Sequence, residues 1–126
     1  MRAVDTNVLV QLITRADAKQ AQAAEAFVKS GAWASLVVVA ETTWVLRAVY
    51  ELESSAIATA IEMLLNNRCL AVQDPDVVGA ALEHFRKKPA LGFTDCLILE
   101  SSRKAGHLPL GTFDKNLSKL DGAERL

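Results

Sequence analysis

The sequence predicts an α/β fold with a short central parallel sheet and helices on both faces. Short apolar segments of strand type alternate with longer segments in which apolar residues recur at helical spacing. The chain opens on such a pair, a strand that runs at once into a helix. Parallel neighbouring strands need a crossover of roughly a dozen residues or more, and the helical segments supply it.

Length and composition predict a single domain over residues 1–126. A chain of 126 residues with 51% hydrophobic and 23% charged residues can bury a core and is too apolar to be disordered. Its prolines and glycines are scattered singly, which argues against linkers and repeats. No apolar run approaches the roughly 18 residues of a spanning helix, and no leader is evident, so we expect a cytoplasmic protein without a membrane partner.

The first elements are two strand-like segments and two helices. A strand over Arg2 to Asp5 leads into a helix over about Val8 to Thr14. A second helix covers about Asp17 to Ser30, because an aspartate suited to an N-cap begins it and a glycine follows it. A brief extended segment over Trp33 to Ser35 comes next.

The middle of the chain predicts a helical pair and one more strand. Apolar residues recur at helical spacing over about Val37 to Glu51 and again over Glu53 to Asn67. One face of the second helix is predicted to be buried, namely Ile57, Ile61, Leu64 and Leu65. Cys69 to Val72 then predicts a strand.

The last part begins with Asp74-Pro75, an N-cap followed by proline at the first helical position, and that helix ends near Lys88. Its predicted buried face is Val77, Val78, Ala81, Leu82 and Phe85. The elements after it are a helix over Thr94 to Ala105, a strand over Leu108 to Thr112, a helical turn over Asp114 to Leu120 and an edge strand over Glu124 to Leu126.

Most of the 15 acidic residues have an ordinary explanation as helix caps, turn residues or exposed side chains, Glu100 among the exposed ones. Four acids stand out: Asp5, Glu41, Asp95 and Asp114. Asp5 and Asp114 each follow a strand, and one parallel sheet would place both at its carboxyl edge, where ligands bind. Each acid alone is also compatible with a capping or surface role.

Glu41 and Asp95 lie in helices with apolar residues at helical spacing from them. Glu41 shares a stripe with Trp44, Val45 and Ala48, which predicts that it points along the apolar face of its helix. Asp95 shares one with Ile98, Leu99 and Ser102, near a helix start where the dipole tolerates an anion. The joint pattern predicts convergence of the four acids.

Such a cluster needs a cation. Two carboxylates about 5 Å apart repel by roughly 3 kcal/mol at an effective dielectric of about 20. All-oxygen ligands suit Mg²⁺ or Mn²⁺, and neither His84 nor His107 has a zinc-like spacing. Such ions activate water and stabilise charge at phosphorus, which predicts phosphodiester hydrolysis. Because the net charge of -1 gives no global attraction to nucleic acid, an RNA substrate would need local basic patches or a second subunit.

Four short motifs carry a family resemblance: D-T-N at 5–7, E-T-T-W at 41–44, F-T-D at 93–95 and T-F-D-K at 112–115. With them the chain resembles PIN-domain endoribonucleases, in particular VapC-type toxins of toxin-antitoxin pairs. The likeness covers essentially the whole chain and implies a PIN-like three-layer α/β/α fold. Cys96 stands where alanine is commoner in the family, and Leu36 where proline is frequent.

The resemblance also implies roles. Asp5, Glu41, Asp95 and Asp114 would be the acidic set that holds Mg²⁺ or Mn²⁺, with Asp5 and Asp95 as direct ligands. Three further residues would orient the acids or the attacking water, namely Thr6, Asn7 and Thr112. Expected partners are an RNA substrate, a second copy of the chain in a homodimer, and a cognate antitoxin protein.

Other classes fit the sequence less well. A receiver-like phospho-acceptor domain needs two adjacent acids after an early strand, whereas Asp5 is followed by Thr6. A haloacid-dehalogenase-type phosphatase needs D-x-D there, whereas the chain has D-T-N. A catalytically silent PIN-fold scaffold usually lacks one or more acids, and all four are present.

Overall fold

The computed structural model describes all 126 residues. The chain divides into two compact units, Met1–Pro75 and Asp76–Leu126. The single-domain organisation expected from the sequence stays a prediction. None of the helices has both the length and the apolar character to cross a membrane.

The first unit contains a parallel sheet of three short strands in the order β1-β2-β3. The strands are β1 (Arg2–Ala3), β2 (Ala32–Ala34) and β3 (Leu70–Val72). The central strand is the most enclosed, since Ala32 and Ala34 are both 0% exposed. The predicted α/β class with a short parallel sheet is confirmed.

Four helices complete this unit. They are α1 (Thr6–Thr14), α2 (Ala18–Val28), α3 (Leu36–Ala48) and α4 (Ser54–Asn66). Helix α1 packs against both α2 and α3. The predicted N-cap at Asp17 is confirmed, because its side chain accepts a hydrogen bond from the Gln20 amide at 3.0 Å. On α4 the predicted face is buried at Ile57, Ile61 and Leu64.

Helix α3 turns a different face inward from the one expected. The buried side chains are Val39, Thr42, Thr43 and Leu46. The stripe that contains Glu41 is open to solvent, with Trp44 64% exposed, so the prediction that Glu41 points along a buried apolar face is wrong. The two threonines can be buried because their hydroxyls donate to backbone carbonyls one turn back.

The second unit holds two helices, α5 (Pro75–Lys87) and α6 (Phe93–Ala105). A parallel pair follows, β4 (Leu110–Thr112) with β5 (Ala123–Arg125), joined through a 3₁₀ turn at Leu117–Lys119. All five residues of the predicted inner face of α5 are buried. The rings of Phe85 and Phe93 meet edge to face, with centroids 5.9 Å apart.

The strands form two sheets rather than one, because β1 pairs within the first sheet and β4 pairs only with β5. Asp5 and Asp114 therefore follow strands of two different sheets, and not strands of one shared sheet as expected. Cys96 is a core residue, and burial, followed by the negative charge of Asp95, raises the pKa of its thiol to about 11. Cys69 is only partly buried.

Candidate active site

Asp5 lies between β1 and α1 and caps the helix. Its backbone is extended, and its Oδ1 accepts a hydrogen bond from the Val8 amide at 3.2 Å. Capping uses one carboxylate oxygen, and the side chain stays exposed. The strand-end position and the local bond to a following amide, both expected from the sequence, therefore coexist at this residue.

Glu41 lines the same cavity as Asp5. This cavity has a volume of about 500 Å³ and lies between α1 and α3. Thr6 and Asn7 also line it, and its apolar walls are Val10, Val38 and Val45. The packing of α1 against α3 thus brings two of the four predicted acids to one opening within the first unit. We call this space the acidic cavity.

Asp95 lies in the first turn of α6 and is half-buried. Burial raises the pKa of its carboxyl, and the negative charge of Asp114 raises it further. Neither effect is offset by a hydrogen bond that lowers the pKa of this carboxyl. The other two predicted acids are therefore close enough for the charge of Asp114 to act on Asp95.

Asp114 lies two residues after the end of β4 and is anchored at both its backbone and its side chain. Its Oδ1 accepts hydrogen bonds from the amides of Asn116 and Leu117, at 2.8 and 2.9 Å. Its own amide donates to Oγ1 of Thr112 at 3.0 Å. Thr112, predicted to support the acids, thus contacts the backbone of one of them.

The remaining supporting residues lie on the first turn of α1. Thr6 begins the helix and faces the acidic cavity. Asn7 lines that cavity too, and its Nδ2 donates to Oε1 of Gln20 on α2 at 3.1 Å. Gln20 is exposed.

Glu100 is a charged residue for which the prediction from the sequence was wrong. It was expected to be exposed, but it is only 8% exposed. Its Oε2 lies 3.1 Å from Nε2 of His84 and accepts from Nε of Arg103 at 3.3 Å. A buried carboxylate needs such partners, and one of them comes from another helix. No signal local to α6 indicates that partner.

A divalent metal ion needs several oxygen donors at one place. No group of three or more His, Cys, Asp or Glu residues is gathered at one point in the structure. Each unit nevertheless presents two carboxylates, and the Asp95–Asp114 pair carries a charge conflict that a divalent cation would relieve. Carboxylate oxygens are the kind of donor that Mg²⁺ or Mn²⁺ prefers.

Comparison with known proteins identifies the family. The PIN-domain family model matches residues 2–123. A solved structure, that of the Sarcin-Ricin loop cleaving toxin VapC20 of Mycobacterium tuberculosis, is similar at 20% identity over 98% of each chain, with a TM-score of 0.44. No curated protein gives a significant match. The expected resemblance is confirmed: the chain belongs to the PIN-domain family of nucleases.

Proposed function

We propose that the protein is a metal-dependent endoribonuclease that hydrolyses RNA phosphodiester bonds and acts as the toxin of a toxin-antitoxin pair. The observation that carries the proposal is the pairing of its acids, Asp5 with Glu41 at one cavity and Asp95 with Asp114 in the second unit. Membership of the PIN-domain family supports the nuclease class.

The proposed cofactor is Mg²⁺ or Mn²⁺, with Asp5 and Asp95 as direct ligands. Glu41 and Asp114 complete the acidic set, either as ligands or through water. A bound divalent ion supplies activation of water and stabilisation of charge at phosphorus. The carboxylates that the chain provides are hard oxygen donors, which these ions prefer.

The chain itself contributes the orientation of these acids. The amide of Val8 holds Oδ1 of Asp5, which fixes the rotamer of that side chain. The amides of Asn116 and Leu117 do the same for Asp114. Thr6, Asn7 and Thr112 are proposed as the supporting residues, and the bond from the Asp114 amide to Thr112 is the contact that favours this role for Thr112.

The proposed partners follow from the toxin assignment. They are an RNA substrate, a cognate antitoxin and a second copy of the chain, and the proposed location is the cytoplasm. The exposed stripe of α3, with Val37 73% and Trp44 64% exposed, offers apolar surface to a protein partner. VapC20 cleaves the Sarcin-Ricin loop, and the experiment that follows identifies the RNA that this chain cleaves.

The test is cleavage of a mixed cellular RNA pool with Mg²⁺, with Mn²⁺ and with EDTA. Wild type is compared with Asp5→Asn and Asp95→Asn, and with Glu83→Gln as a matched exposed acid outside both pairs. We expect metal-dependent cleavage by wild type and Glu83→Gln, and a loss of about 100-fold or more in the two site variants. Restoration by excess Mg²⁺ after EDTA separates metal loss from unfolding.

The rival assignment is a catalytically silent PIN-fold scaffold. Folded, metal-supplemented wild type that leaves every RNA intact would support the scaffold. The toxin assignment has its own readout, because expression of wild type should arrest bacterial growth while Asp95→Asn should not. Sedimentation of the purified chain tests the homodimer.

A further inference from the structure

A second cavity lies beside the acidic cavity, between α1 and α2. Its volume is about 360 Å³, within the range of roughly 300–1,000 Å³ that is usual for small-molecule sites. Ala23, Ala24 and Phe27 of α2 form much of its apolar lining, and Asn7 and Gln20 contribute amides. We call it the amide cavity.

The polar side of the amide cavity presents one acceptor and one donor. Asn7 donates through Nδ2 to Oε1 of Gln20, so Oδ1 of Asn7 and Nε2 of Gln20 are left for a ligand. Gln11, which also lines the cavity, is already used, because its Oε1 accepts from the Asp17 amide at 3.0 Å. A neighbouring donor and acceptor complement the hydrogen-bonding edge of a nucleobase.

The apolar side suits a flat aromatic ligand. Phe27 supplies an aromatic ring, and the two alanines leave room beside it. The guanidinium of Arg2 lies 3.9 Å from the centre of the Phe27 ring and donates to the Phe27 carbonyl. A positive charge is thereby fixed next to the cavity wall, which favours a ligand that belongs to an anionic polymer.

The amide cavity adjoins the acidic cavity, and this position indicates the class of ligand that it would bind. Asp5 and Asn7 line both cavities, and α1 forms a wall of each. A nucleotide strand held at the acidic cavity therefore has the amide cavity as its immediate neighbour. Single-stranded RNA is read in proteins by bases that leave the stack, contact aromatic side chains and bond through their edges.

We propose that the amide cavity receives a nucleobase of the RNA that neighbours the cleaved bond and thereby sets sequence preference. This inference rests on the proposed endoribonuclease function. Gln20 and Asn7 contact the base edge, and Phe27 contacts its face. A side chain of a protein partner is the competing occupant, and the experiment separates the two.

The experiment measures kcat/KM on a short single-stranded RNA that contains a site cut by wild type. Each base near the cut is replaced in turn by an abasic residue. Two variants alter the cavity: Ala23→Leu fills it, and Gln20→Ala removes its donor. Their matched controls are Ala26→Leu and Gln22→Ala, which lie on the same helix, are exposed and do not line the cavity.

At one position next to the cut, we expect the abasic substitution to lower kcat/KM of wild type and of both controls by about tenfold. At that position Ala23→Leu should show no base dependence, and Gln20→Ala should show an altered base preference. We expect Ala23→Leu to fold, because Ala23 is exposed. The melting temperatures of all variants check this.

An unchanged base requirement in Ala23→Leu would overturn the inference and leave the cavity to a protein partner. Wild type that cuts RNA with no base requirement near the cut would overturn it too, while the endoribonuclease would stand. Wild type that cuts no RNA would remove the proposed function, and the inference with it.

Discussion

Asp114 adds its negative charge to the burial of Asp95, and together they raise the pKa of the Asp95 carboxyl. Helix starts usually favour an anion, and Asp95 lies in a first turn. Burial and repulsion outweigh that benefit here. The charged form of Asp95 therefore costs the metal-free protein stability at neutral pH, which is common at sites arranged for function rather than for folding.

The first prediction concerns this cost. Asp95→Asn should raise the melting temperature of the protein in EDTA, because it removes a half-buried charge and its repulsion with Asp114. Mg²⁺ should raise the melting temperature of wild type but not that of Asp95→Asn. Differential scanning fluorimetry with EDTA and with Mg²⁺ measures both effects. Destabilisation by Asp95→Asn in EDTA would contradict the prediction.

The second prediction concerns the buried carboxylate of Glu100. Glu100→Ala should lower the free energy of unfolding by about 1.5–3 kcal/mol, because it removes the contacts of the buried carboxylate with His84 and Arg103. Urea unfolding measures the change. Glu83→Ala is the exposed control on α5 and should stay within about 0.5 kcal/mol of wild type. Equal changes in the free energy of unfolding from Glu100→Ala and Glu83→Ala would contradict the buried, paired position of Glu100.

The third prediction tests which face of α3 is buried. Leu46→Ala should cost about 2–5 kcal/mol, because Leu46 is 0% exposed and its removal leaves a cavity. Trp44→Ser should change the free energy of unfolding of the monomer by no more than about 0.5 kcal/mol, because Trp44 is 64% exposed. A larger loss of stability from Trp44→Ser than from Leu46→Ala would mean that the stripe containing Trp44 is the buried face, as the sequence predicts.

The fourth prediction concerns pH. The hydrogen bond from Lys104 lowers the pKa of Asp76, so the ionised carboxylate contributes stability above its unfolded pKa and loses it as pH falls through the folded pKa. Asp76→Asn should therefore reduce stability at neutral pH and leave it unchanged at pH values below the folded pKa. The effect should be small, because both side chains are exposed.

Urea unfolding of wild type and Asp76→Asn at several pH values gives the test of this fourth prediction. Two curves that stay parallel down to strongly acidic pH would refute it.

Sequence reasoning worked where local pattern decides the outcome. Helical spacing of apolar residues gave the inner face of α5, and an aspartate before a helix gave the cap at Asp17. The position of Asp5 after a strand also followed from local pattern. These features depend on neighbours a few residues away, so the sequence contains all the information that they need.

It failed where partners come from distant elements. Helix α3 is apolar on more than one side. Thr42 and Thr43 are polar, and their burial becomes understandable only from the hydrogen bonds of their hydroxyls to backbone carbonyls. Glu100 looks exposed until His84 of α5 is found beside it. The meeting of Asp5 with Glu41 requires α1 to pack on α3, which no motif specifies.

The central proposal is that Asp5 and Asp95 are both required for the proposed metal-dependent cleavage of RNA. The most direct measurement is the RNA-cleavage rate of Asp5→Asn, of Asp95→Asn and of the double variant, at saturating Mg²⁺. Residues that act as a unit are strongly non-additive. We predict that the double variant is about as slow as either single variant. A double variant slowed by the product of the two single losses, or a single variant that cleaves at the wild-type rate, would contradict the claim.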